Sequence, residues 1–188
     1  MIDMKEPTLG MIEFKSVARG ILATDAIAKK AQVRILETHP ICPGKYMTVF
    51  CGEVAEVEES LKAGLEVGGD LVINHLFLPY LHESVIPALT ATTEINEFGA
   101  IGVIETFSIT ACVVAADIAA KAADIKLVEI RLANGLGGKG YFVMTGPLTD
   151  IEAAMEDAKK YVSNDGLLTS SAIIENPHPD LLEKGVYW

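Results

Sequence analysis

The chain has 188 residues, half of them apolar and 22% charged. That apolar content supports a folded core and excludes intrinsic disorder. Fifteen Lys and Arg against 26 Asp and Glu give a formal net charge of −11, which argues against nucleic acid and anionic membrane surfaces as partners, because both bind basic faces. The longest apolar run, residues 109–123, is broken by Asp117 and Lys121, so no membrane span is expected. Met1–Pro7 lacks the apolar stretch of a signal sequence, and three cysteines without paired spacing form no disulfide framework, so a cytoplasmic protein is expected.

In chain order, Leu9–Lys15 is a short apolar run and predicts a strand. Ser16 is placed to cap the Ala-rich helix that follows over Val17–Ala31. Gln32–Thr38 alternates and predicts a strand, with Lys45–Phe50 as its partner across a loop. Glu53–Gly68 sets Val54, Val57, Leu61 and Leu65 on one helical face and ends at Gly68-Gly69. Asp70–Leu78 predicts a fourth strand and His82–Leu89 a short final helix.

The pattern then repeats. Leu9-Gly10-Met11-Ile12-Glu13 returns as Ile101-Gly102-Val103-Ile104-Glu105, an offset of 92, and ten of the 29 columns from residue 9 to 37 are identical. The offset grows to 94, where Gly44-Lys45 meets Gly138-Lys139, and to 96, where His82 meets His178. The order strand-helix-strand-strand-helix-strand is the ferredoxin-like split unit. The expected fold is therefore α/β (α+β), with two tandem domains over 8–90 and 100–182, each a four-stranded antiparallel sheet with helices. Two copies are too few for a solenoid.

The sharpest local feature is His39-Pro40-Ile41-Cys42-Pro43-Gly44-Lys45, a stiff turn that holds Cys42 between two prolines. Spacing alone leaves two readings open, an ordinary loop residue or a thiolate metal ligand, since one thiolate without a CxxC partner cannot hold a metal centre. Three thiolates related by a threefold axis could. Cys51 and Cys112 read as small core residues, and the four histidines share no metal-ligand spacing. The second copy carries Ala133-Asn134-Gly135-Leu136-Gly137-Gly138-Lys139-Gly140 in place of the Cys loop. This glycine-rich stretch lacks the Ser/Thr after Lys and the helix that a phosphate loop needs, and reads as a turn with exposed backbone N–H groups. Glu13 and Glu105 match in position, which favours a shared role in the fold. Asp25–Lys29 and Asp117–Lys121 are spaced for intrahelical ion pairs.

Leu9–Glu13, Asp25-Ala26-Ile27-Ala28-Lys29-Lys30-Ala31 and Gly52-Glu53-Val54-Ala55-Glu56-Val57, together with their counterparts at 101–105, 117–123 and 146–151, resemble the bacterial microcompartment (BMC) shell family. Two fused copies are similar to its tandem-domain members, which form trimers shaped like pseudohexamers and tile a polyhedral shell around metabolic enzymes. Pro40-Ile41-Cys42-Pro43-Gly44-Lys45 is similar to the pore loop of tandem shell proteins of propanediol utilisation, in which one cysteine per subunit binds a 4Fe–4S cluster on the threefold axis. The resemblance implies Cys42 as metal ligand, with one cluster per trimer. It implies Ile41, Cys42, Pro43, Gly44, Asn134, Gly135, Leu136 and Gly137 as pore-lining residues, and Lys29, Lys121, His82 and His178 at tile edges. The family's C-terminal Pro-Arg-Pro-His segment is present only in part, as Glu175-Asn176-Pro177-His178.

The implied function is structural rather than enzymatic, in a homotrimer that joins other shell proteins and serves an encapsulated redox enzyme. One alternative keeps the tile with a plain metabolite pore and no cluster. Another, of a different class, is a trimeric ferredoxin-like regulator that binds a small molecule.

Overall fold

A computed structural model describes residues 7–164 and 166–184; Met1–Glu6, part of the segment read above for a signal sequence, lies outside them. The chain divides into two compact units, Met1–Glu83 and Ser84–Trp188. In the first, β1 (Thr8–Phe14), α1 (Val17–Lys30), β2 (Arg34–Ile41), β3 (Lys45–Gly52), α2 (Val54–Gly68) and β4 (Val72–Leu78) follow one another, with one 3-10 turn at Gly69–Leu71. The second opens with α3 (Val85–Leu89) and continues with β5 (Ala100–Thr106), α4 (Ile109–Ala122), β6 (Lys126–Leu132), β7 (Gly140–Gly146), α5 (Leu148–Asn164), β8 (Leu168–Ile174) and α6 (Pro179–Lys184).

Both sheets are antiparallel and have equivalent orders, β2-β3-β1-β4 and β6-β7-β5-β8. These are the two tandem ferredoxin-like sheets expected from the repeat. Even the irregularities recur: a register shift falls at Glu13/Phe14 against β4 and at Glu105/Thr106 against β8. Ser16 and Ser108 cap α1 and α4 by accepting the N–H of Arg19 and Ala111. Such a cap is worth about 1 kcal/mol. In unit 1 the helices cover one sheet face over a core of Ile12, Phe14, Ala23, Ile27, Phe50, Val57 and Leu61.

Several boundaries differ from the expected ones. The strand expected to end at Thr38 runs on through His39-Pro40 to Ile41, paired with Met47, Tyr46 and Lys45. Proline is tolerated there because β2 is an edge strand and its outer side needs no amide donor. The loop therefore shrinks to Cys42-Pro43-Gly44. The fourth strand starts at Val72 after the 3-10 turn, and the helix expected from His82 begins at Val85. This helix packs on β6 and α4 of the second unit.

The copies reach the same backbone with inverted side-chain sizes. A Cβ on Gly20 of α1 would lie 2.3 Å from the Tyr46 ring of β3. At the aligned positions α4 has Cys112 and β7 has Gly140, and a Cβ on Gly140 would lie 2.8 Å from the Cβ of Cys112. One copy places the bulk on the strand and the other on the helix.

Candidate functional site: the two inter-strand turns

The β2–β3 turn is built from Cys42, Pro43 and Gly44, with Gly44 at φ 71, a conformation glycine adopts without steric cost. The Cys42–Pro43 peptide is cis. Ile41 is buried at the base, Cys42 is half-buried, and Pro43 and Gly44 are exposed. The turn is anchored where β3 starts. Lys45 Nζ donates to Glu13 Oε1 of β1 at 2.7 Å, and the Glu13 side chain is only 7% exposed. Earlier along β2, His39 Nε2 lies 3.3 Å from Glu37 Oε2.

The β6–β7 turn, Ala133–Lys139, is two residues longer than its counterpart at Ile41–Lys45. It holds Ala133, Gly135, Gly137 and Gly138 at positive φ and closes with the Ala133 N–H donating to the Lys139 carbonyl at 2.8 Å. Lys139 pairs with Glu105 as Lys45 pairs with Glu13. The matching glutamates thus anchor both turns and form no acid/base pair with each other. Beneath this turn lies a feature that the sequence reading missed. Glu129 is buried, with Arg131 Nε donating to Oε1 at 2.5 Å and the Tyr141 hydroxyl to Oε2 at 3.4 Å. Arg131 and Tyr141 line a cavity of about 340 Å³ with Asn134, Gly135 and Leu136. The signal was present in the repeat, since Glu129 aligns with Glu37 and Arg131 with His39.

The remaining thiols are withdrawn from chemistry. Burial pushes the Cys112 thiol up to about 12, against a smaller opposing hydrogen bond with Thr106. Burial also raises Cys51, opposed by Arg34. Among the described residues no group of three or more His, Cys, Asp or Glu side chains converges as a metal site. Within one chain, Cys42 is thus a single soft donor on a projecting turn, and a cluster would take its other protein ligands from other subunits.

Lys29 pairs with Asp25 at 2.7 Å on the open surface of α1. Lys121 pairs with Asp117 at 2.6 Å, and there the carboxylate side chain is 5% exposed. His178 is exposed, and its Nδ1 accepts the Asp180 N–H at the start of α6. His82 is half-buried after β4. No helix among the described residues is long and apolar enough to cross a membrane.

A family comparison matches the BMC domain twice, over residues 8–81 and 100–177. The chain belongs to the BMC domain family. It is 36% identical over 173 residues to the bacterial microcompartment shell protein PduT of Citrobacter freundii, covering 92% of this chain and 94% of that one. One copy's length is 37% identical over 87 residues to the carboxysome shell protein CsoS1A of Hydrogenovibrio crunogenus, covering 44% of this chain and 88% of that one. The crystal structure of a microcompartments protein from Desulfitobacterium hafniense superposes with a TM-score of 0.92 at 40% identity, covering 95% of this chain and 99% of that one. The chain is therefore a microcompartment shell protein with tandem BMC domains, and its relatives are structural proteins, not enzymes.

Proposed function

We propose that the chain is a homotrimeric, pseudohexameric shell tile whose three Cys42 turns meet on the threefold axis and hold one 4Fe–4S cluster. The observation that carries this is the turn itself: a half-buried thiol on the short β2–β3 turn, anchored by the Glu13–Lys45 pair, where the second copy has Asn134. Three such thiolates provide three of the four ligands a cubane needs. The bound group supplies one-electron transfer, and Cys42, alone among the three cysteines, supplies the ligating atom. Ile41, Pro43 and Gly44 line the pore beside Cys42, alternating around the axis with Asn134, Gly135, Leu136 and Gly137.

The two units support the ring. In the second, α3 packs on α4, and Val113 and Val114 are buried and half-buried. Their counterparts Ile21 and Leu22 on α1 are 55% and 54% exposed. A neighbouring chain covers this surface in a closed, head-to-tail arrangement. The domains extend over 8–90 and 100–182, and Lys29, Lys121, His82 and His178 lie at the edges where tiles meet other shell proteins. An encapsulated redox enzyme exchanges electrons with the pore.

The test is anaerobic reconstitution with iron and sulfide, read by absorption and electron paramagnetic resonance on protein of known mass. A trimer with about one cluster is expected, lost in Cys42→Ser because an alkoxide is a poor ligand for this metal and retained in Cys51→Ser. A trimer that binds no iron leaves a tile with a plain metabolite pore. A stable monomer at micromolar concentration overturns the tile geometry as well.

A further inference from the structure

The two copies also diverge where the second helix meets the last strand. In unit 1 this ledge is filled: Leu65 and Phe77 pack on the core, and Lys62 pairs with Glu58 and Glu59 at 2.9 and 3.1 Å. The aligned positions in unit 2 carry Lys159 for Leu65, Ile173 for Phe77 and Glu156 for Lys62. What remains is an open groove of about 720 Å³ between α5 and β8, lined by Glu152, Glu156, Lys159, Lys160, Ser171 and Ile173 among others. None of these four charged side chains forms an ion pair among the described residues, whereas on the same ledge in unit 1 Lys62 pairs with Glu58 and Glu59, and Glu59 also with Lys30.

The strand beside the groove is unprotected. Among the described residues β8 pairs only with β5, which leaves its other backbone edge without a strand partner there. Its seven residues, Leu168-Thr169-Ser170-Ser171-Ala172-Ile173-Ile174, contain no charge and no proline, the devices that normally blunt an edge. The groove is also polar along its length. Because β8 follows α5 through a short turn and runs back along it, Lys159 and Lys160 lie at the Leu168 end, while Glu152 and Glu156 lie toward Ile173.

We propose that β8 pairs antiparallel with β8 of a second copy, about a twofold axis near Ser171, joining two sheets into one of eight strands. A charge pattern that is basic at one end of a strand and acidic at the other is self-complementary under that rotation: each lysine pair faces the partner's glutamates, and every contact is made twice. The strand edge supplies backbone hydrogen bonds, and the flanking charges set direction and register. The contact lies on β8 and α5, elements that carry neither Lys29 nor Lys121, and, resting on the trimeric reading above, it joins whole assemblies to each other rather than adding a neighbour to the ring.

Sedimentation of the full chain over a concentration series tests this. The wild type is expected to associate reversibly to twice its starting mass and stop there. Lys159→Glu/Lys160→Glu makes the groove wholly acidic and Glu152→Lys/Glu156→Lys makes it wholly basic. Each is expected to weaken the doubling by about tenfold or more, since like charges then face each other. An equimolar mixture of the two variants, and the single chain carrying all four reversals, should recover it, because both restore complementarity. Circular dichroism confirms that each variant is folded. Ser171→Lys, which sets two ammonium groups together on the axis, should abolish the doubling. A wild type that holds its starting mass throughout overturns the proposal, as it would if the groove serves an extended segment of another protein. So does association that ignores the reversals, or a mixture that fails to recover it.

Discussion

The first inter-strand turn is short, proline-stiffened and carries a thiol; the second is longer, glycine-rich and sits over a buried carboxylate. Both are held by the same device, a lysine at the start of the returning strand reaching a glutamate on the first strand, Lys45 to Glu13 and Lys139 to Glu105. Duplication thus preserved the anchor and released the tip. The elements that define the sheet cannot change independently, because strand register and helix contacts must be satisfied together, whereas an exposed tip makes few contacts and tolerates exchange. The same contrast extends to the cores, where Gly20 and Tyr46 in one copy are answered by Cys112 and Gly140 in the other.

The sharpest way to break this comparison is to move one copy's packing into the other. Tyr46→Gly alone should cost about 3–5 kcal/mol through the cavity it leaves. Gly20→Cys alone should cost about 1–3 kcal/mol by overpacking against the Tyr46 ring. The double variant imports the second copy's solution and should be more stable than the sum of the singles requires, a coupling that a denaturation double-mutant cycle measures. Strict additivity would show that the inverted sizes are unrelated substitutions.

A smaller effect separates the carboxylates under the turns. Glu129→Gln removes the buried acceptor of Arg131 and Tyr141 and should destabilise by about 1–3 kcal/mol. Glu37→Gln, at the aligned but more open position beside His39, should cost under about 1 kcal/mol. Urea denaturation of the two variants checks the order, and equal losses would remove burial as the cause.

The smallest difference concerns the intrahelical pairs. Lys29→Ala breaks an exposed pair worth about 0.3–0.5 kcal/mol. Lys121→Ala takes the ammonium away from a carboxylate that is almost fully buried and should cost about 1 kcal/mol or more. Thermal melts of both variants at low and high salt should show salt sensitivity mainly in the Asp25–Lys29 pair, because buried pairs are screened less.

Much of this protein follows from local pattern. The duplication, the order of strands and helices, both serine caps and both i,i+4 pairs are legible in the sequence, because each depends on residues a few positions apart. The position of Cys42 between prolines at the tip of a turn is legible for the same reason. The chain-wide repeat also assigns Glu13 and Glu105 the same role.

Tertiary structure decided what depends on neighbours distant in sequence. Thr38 was expected to end its strand, yet β2 runs on through Pro40, because only the sheet order makes it an edge whose outer amide needs no partner. Identical motifs gave no hint that Asp117 is buried while Asp25 is exposed; that difference follows from what packs around α4 and not around α1. Lys159 and Ile173 carry no signal of their own in the sequence. Only the packing of α5 against β8 shows that, together with the loss of Leu65 and Phe77 at those positions, they open a groove. Backbone periodicity specifies where an element lies and which side faces inward, but how far a side chain is covered is set by the elements that fold against it.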